Sequence, residues 1–214
     1  MDGRPLIGVA LRQWFHQRRS WLPHKYAFKL GLNRTRGQEQ CNRMIDMVAN
    51  ALNALSAQTG AFFVFLPTYN VKHENDAVIC QRTMQKMPAS NAAIIDIADP
   101  QLYQAVLGNM RLMLTARMHP AILAAGMGVP AIGLAYNQKF KGFFSLLECE
   151  DAVIPLDDLV ASIDVQSLVS RMSQMLQIRD DVIPEVGNLR NVLVEFNEAL
   201  FNGANPVPTK PTND

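Results

Sequence analysis

Five short, mostly apolar runs recur along the chain: Pro5 to Leu11, Ala61 to Leu66, Ala92 to Ile97, Leu112 to Thr115 and Ala131 to Leu134. Such runs, without polar alternation, are expected of parallel strands buried on both faces. Between them the pattern changes to a helical period. From Cys41 to Ser56, Met44, Ile45, Val48, Leu52 and Leu55 recur at three- and four-residue steps, and Thr59-Gly60 ends that helix. Asn75 or Asp76 can cap a helix running to about Met87, after a polar loop over Asn70 to Glu74. Asp99 and Pro100 supply an N-cap and a first-turn proline for a helix reaching about Leu107. A small-residue helix opens at Pro120 and stops at Gly126 and Gly128, and a further helix is predicted over Phe140–Leu147. Val153-Ile154 reads as a short edge strand, followed by helices over Gln166–Gln177 and Pro184–Leu200. Alternating strands and helices predict an α/β fold: one doubly wound, parallel-sheet, Rossmann-like domain over 1–201. Within it, 18–40 is expected as a long basic loop insertion, and 202–214 as a disordered tail.

Composition changes this picture little. Hydrophobic residues make up 49% and charged residues 18%, which suits a globular chain rather than a disordered one. The formal net charge of +1 gives no case for nucleic acid. Its distribution is uneven: nine Lys/Arg face two Asp/Glu up to Arg43, and eleven face seventeen beyond it. A basic leading segment suits a polyanion or peripheral contact with a membrane, and a solvated loop with scattered cations accounts for it equally well. Cys41, Cys80 and Cys149 form no CxxC pair, which suggests free thiols in a reducing compartment and no zinc site. Leu6–Leu11 is too short for a signal peptide, and no apolar run approaches the length of a membrane span, so a cytoplasmic location is expected.

Chemistry concentrates at the ends of three predicted strands. Arg12 and Gln13 follow the first, Arg117 and His119 follow Leu112–Thr115, and Tyr136 and Lys139 follow Ala131–Leu134. In an open α/β sheet, ligands bind at the carboxyl ends of strands. A helix N-terminus there presents unpaired N–H groups and a partial positive charge to an anion. Taken singly, Arg117 reads as well as a surface cation, and His119 better as a structural histidine. Together, before a small-residue helix, they favour a site for phosphate or carboxylate. His16 and His24 lie in the basic loop, and Asp96 and Asp99 are spaced like paired carboxylates, although Asp99 is better explained as a cap. GxGxxG, P-loop, GxSxG, HExxH and EF-hand patterns are missing.

The stretches Ile7-Gly8-Val9-Ala10-Leu11-Arg12-Gln13-Trp14, Phe65-Leu66-Pro67 with Asp76 nine residues later, and Arg117-Met118-His119…Ala124-Ala125…Gly128-Val129-Pro130…Tyr136-Asn137-Gln138-Lys139 carry a resemblance. Over about Pro5 to Leu147 the chain resembles the polysaccharide pyruvyltransferase family, closest to its bacterial cell-wall type. The last stretch matches the family's R-[LM]-H-x-x-I-x-A-x-x-x-G-x-P pattern and a following Y-x-x-K. The resemblance implies a fold like the carboxyl half of a GT-B-type transferase. It implies phosphoenolpyruvate as donor substrate, a free or lipid-linked saccharide acceptor, and neither cofactor nor metal. Arg117 and His119 become catalytic or donor-binding, with Arg12, Tyr136 and Lys139 as further substrate contacts. Two departures stand out. The chain begins where the second domain of family members begins, so an amino-terminal domain is expected as a missing partner, and Asn137 stands where an acidic residue often follows the Tyr. Two alternatives remain beside transfer of pyruvate: a GT-B nucleotide-sugar glycosyltransferase, and an anion-binding domain without activity of its own.

Overall fold

The computed structural model describes residues 3–13, 34–71, 74–162 and 164–177. Strand β1 (Leu6–Ala10) leads to the long helix α1 (Arg34–Thr59) and strand β2 (Phe62–Phe65). A two-residue pairing of β3 (Asn70–Val71) with β4 (Glu74–Asn75) precedes α2 (Asp76–Met84) and β5 (Ala92–Ile94). Then come α3 (Pro100–Gly108), β6 (Leu112–Thr115), α4 (Met118–Gly126), β7 (Ala131–Ala135) and α5 (Gln138–Leu146). Strand β8 (Val153–Pro155), α6 (Leu156–Ser162) and α7 (165–177) complete the described chain.

Six strands form one parallel sheet in the order β5-β2-β1-β6-β7-β8. Counting only these strands in chain order, that is 3-2-1-4-5-6, the doubly wound arrangement whose direction of winding reverses between the first and fourth strands. Alternate residues of each strand serve two cores. Ile7, Val9, Phe63, Phe65, Leu112, Leu114, Ile132 and Leu134 face α1, α2, α6 and α7. Ala10, Val64, Met113, Ala131 and Ala135 face α3, α4 and α5. The predicted fold class is therefore what the chain forms.

Several boundaries differ from the sequence reading, each for a local reason. Helix α1 starts at Arg34, so residues 34–40 of the predicted loop insertion are helical. Its leading residues, Arg34 to Gln40, are all polar or glycine and so carry no apolar period. It ends at Gly60, whose φ of 70° suits the residue that closes a helix. Helix α4 opens at Met118, with Pro120 inside the first turn, where a missing N–H costs nothing. Strand β5 stops at Ile94 because β2, its partner among the described residues, ends at Phe65. Asn70–Glu74, expected as a loop, contributes the small β3–β4 pairing. Helix α6 was not anticipated, since seven residues are too few to display a period; Asp157 and Asp158 sit favourably in its first turn. The remaining basic segment, the helix expected over Pro184–Leu200 and the tail over 202–214 lie outside the described residues.

Packing under β7 leaves no room for a side chain at Gly133. A Cβ at Gly133 would come within 2.7 Å of Phe140 and 2.8 Å of Phe144, both buried rings of α5. A Cβ at Gly8 would meet the sulfur of Met113, the movable end of a flexible side chain. Gly133→Ala is expected to lower stability by about 1–3 kcal/mol and Gly8→Ala by clearly less. Urea unfolding followed by circular dichroism checks both; equal losses would contradict this packing.

Candidate functional site

The register of the sheet brings the candidate residues to one level. Ala10 pairs with Thr115, and Thr115 with Gly133. Arg12 and Arg117 therefore each lie two residues past the same row, and Tyr136 three residues past it. Adjacent strands β1 and β6 flank the point where winding reverses, the usual crevice for a ligand in this architecture.

Arg12 is only 6% exposed, and its guanidinium lies 4.2 Å from the centre of the Tyr136 ring. That contact spans the carboxyl end of β6, which separates the two parent strands.

Arg117 is held differently. Its Nε donates to Asp76 Oδ2 at 2.9 Å and its Nη2 to Asp76 Oδ1 at 2.6 Å, a bidentate fork on a carboxylate with no exposed surface. The Arg117 side chain itself is 14% exposed. Asp76 Oδ2 also accepts from the Tyr69 backbone N–H at 3.1 Å and the Thr68 hydroxyl at 3.2 Å. The Tyr69 ring lies 5.0 Å from the Arg117 guanidinium. The buried Thr115 hydroxyl fixes the junction by accepting from Arg117 N–H at 2.9 Å and donating to Arg117 O at 2.8 Å. Arg117 is the N-cap residue of α4, and its side chain makes no cap hydrogen bond to the amides that open that helix.

His119 is exposed in the first turn of α4, with no hydrogen-bond partner among the described residues. Lys139 is exposed in the first turn of α5, where the Asn137 side chain accepts from its backbone N–H at 3.1 Å. The structure thus joins Arg12 to Tyr136 and Arg117 to Asp76, and leaves His119 and Lys139 at the solvent face of helix starts. Asp76 is the residue whose part the sequence reading missed, having offered it as a cap. Asn75 takes the cap by accepting from Val78 N–H. The signal was its presence in the Phe65-Leu66-Pro67…Asp76 stretch. Asp96 and Asp99 form no carboxylate pair at the site. Asp99 caps α3, and Asp96 accepts from Asn70. Burial pushes the Cys80 thiol up to about 12 and the Cys149 thiol to about 11, so neither is a thiolate nucleophile at neutral pH. Among the described residues there is no group of three metal-ligating side chains, and no helix long and apolar enough to cross a membrane.

A family model described as polysaccharide pyruvyl transferase matches residues 23–138, more than half of the chain. The match includes Asp76, Arg117, His119 and Tyr136, begins after Arg12 and ends just before Lys139. No curated protein matches the sequence. Among solved structures, a variant of the O-GlcNAc transferase of Thermobaculum terrenum superposes with a TM-score of 0.51 at 15% identity, covering 88% of this chain and 33% of that one. A protein assigned as a UDP-N-acetylglucosamine 2-epimerase of Listeria monocytogenes gives 0.54 at 13% identity, covering 95% and 47%. At these identities the likeness is one of fold. The chain spans a third to about half the length of these structures.

Removing one partner of a buried pair strands the other charge. Asp76→Ala and Arg117→Ala are each expected to cost about 3–5 kcal/mol, and the double replacement much less than their sum. A double-mutant cycle by chemical denaturation checks this; additive losses would show that the pair does not form.

Proposed function

The chain belongs to the polysaccharide pyruvyl transferase family, and from that membership we propose that it is the donor-binding half of a pyruvyltransferase. It would take phosphoenolpyruvate as donor and place pyruvate as a ketal on a cell-wall or exopolysaccharide sugar, free or lipid-linked. The observation that carries this reading is the pair of guanidinium groups, Arg12 and Arg117, at the carboxyl ends of the two strands that flank the reversal of winding.

The chemistry suits these groups. Arg12 and the uncapped start of α4 attract the donor's phosphate and carboxylate. Arg117, neutralised by Asp76 and fixed in direction, acts as a pre-set donor rather than a mobile cation. Protonated His119 delivers a proton to the methylene carbon, which becomes the methyl group and leaves a cationic centre at the neighbouring carbon. One acceptor hydroxyl forms a bond to that carbon, phosphate departs, and a second hydroxyl closes the ketal. Of the two hydroxyl protons released, one restores His119 and the other leaves with phosphate. Lys139, exposed one strand away, meets the acceptor or the departing phosphate. No step needs a metal or an organic cofactor. An amino-terminal Rossmann-like domain would supply the acceptor side of the crevice.

A second reading has an observation of its own. The two solved structures above are described by names that involve N-acetylglucosamine chemistry, which suits a nucleotide-sugar glycosyltransferase of the same architecture. Under that reading UDP-N-acetylglucosamine, rather than phosphoenolpyruvate, raises the unfolding temperature.

The test is phosphate release, followed by 31P NMR, from phosphoenolpyruvate in the presence of free and lipid-linked cell-wall disaccharides. It uses this chain joined to a Rossmann-like amino-terminal half. Release is expected, and His119→Asn should slow it by about 10²–10⁴-fold. No release with any acceptor, together with stabilisation by UDP-N-acetylglucosamine alone, would contradict the pyruvyl reading.

A further inference from the structure

A guanidinium that is 6% exposed has given up nearly all of its water, and something must stabilise it and fix where it points. For Arg12, the ring of Tyr136 at 4.2 Å is one group that does so. At that distance the negative face of an aromatic ring attracts a cation, the more strongly when the pair is desolvated. The ring is itself immobilised. It meets Phe140 edge-to-face, at 5.8 Å and 71° between planes, and Phe140 stacks on Phe144 at 6.4 Å. Both phenylalanines press on Gly133, which offers no side chain to hold them away. Tyr136 also packs against both hydrophobic cores, one on each face of the sheet. It sits over the sheet's carboxyl edge, wedged from both sides.

We infer that Tyr136 is a positioning residue whose ring face, locked by Phe140, aims the Arg12 guanidinium at the crevice between β1 and β6, in place of a hydroxyl contact with the ligand. The inference rests on the proposed reading of Arg12 as a contact for an anionic donor. It makes two distant positions one device: Arg12 touches the anion, and Tyr136 sets where Arg12 is before the anion arrives. Pre-set geometry raises affinity because less freedom is lost on binding.

A test should change the electrons of the ring without changing its size. The 214-residue chain is prepared with Tyr136→Phe, with 3,5-difluorophenylalanine or pentafluorophenylalanine at the same position, and with Tyr136→Leu. Binding of phosphoenolpyruvate, inorganic phosphate and UDP-N-acetylglucosamine is measured by calorimetry at fixed salt, beside each variant's unfolding midpoint. Phe should keep affinity within about twofold, and fluorination should weaken it stepwise to about tenfold, with midpoints preserved. Tyr136→Leu should lose at least as much as the pentafluoro variant. A flat fluorination series, or Phe as damaging as Leu, would overturn the inference, the latter pointing to a hydroxyl contact. If the wild-type chain binds UDP-N-acetylglucosamine and not phosphoenolpyruvate while the series still declines, the pyruvyl reading falls and the role of Tyr136 stands. Binding of none of the three anions overturns both.

Discussion

A carboxylate with no exposed surface, Asp76, governs how the carboxyl end of this sheet is assembled. Burying such a group costs several kcal/mol unless partners replace its water. Here four donor groups do so: two from Arg117, the Tyr69 amide and the Thr68 hydroxyl. These come from separate parts of the chain, the segment after β2 and the β6–α4 junction, with the carboxylate itself at the start of α2. Satisfying one charge thus locks three segments together beside the reversal point of the sheet. It also sets the electrostatics. Arg117 is compensated from behind, which separates its part from the one proposed for Arg12.

Under the proposed reading, a doubly wound sheet in the order 3-2-1-4-5-6 serves an anion without a glycine-rich fingerprint. In dinucleotide-binding domains the backbone approaches the phosphate, and glycines make room for it. In this chain β1 is followed by Leu11 and Arg12, and under that reading a side chain takes the role of the loop. Side chains have more freedom than backbone, so they need fixing. The Asp76 fork fixes Arg117, and the Tyr136–Phe140–Phe144 stack fixes Arg12. Gly133 belongs to the same arrangement, since its missing side chain lets the stack sit down on β7.

How much of this was legible depended on the range of the interaction. The strands were legible because both faces of a parallel sheet are buried, which writes an uninterrupted apolar run at Leu6–Ala10, Phe62–Phe65 and Ala131–Ala135. The Asp99 cap was legible because a cap acts within three residues. The first turns of α1 were not, because their polar residues write no apolar period, nor was the seven-residue α6. The partnerships inside the site were invisible to periodicity. Asp76 and Arg117 are 41 residues apart, and no local rule connects them. Arg12 and Tyr136 could be placed at strand ends from the order of elements, but that one ring meets the other cation across an intervening strand required coordinates. The family motif narrowed the chemistry further than any pattern of hydrophobicity did, because it names residue types in a fixed order from the start of α4 to the start of α5.

The most direct measurement is a crystal structure of the chain with phosphoenolpyruvate. The donor's phosphate or carboxylate should lie within hydrogen-bond distance of Arg12 and the first amides of α4, with its methylene carbon toward His119 and the Asp76–Arg117 fork intact. Phosphoenolpyruvate bound away from the carboxyl ends of β1 and β6, or bound there with neither Arg12 nor α4 touching it, would contradict the central claim.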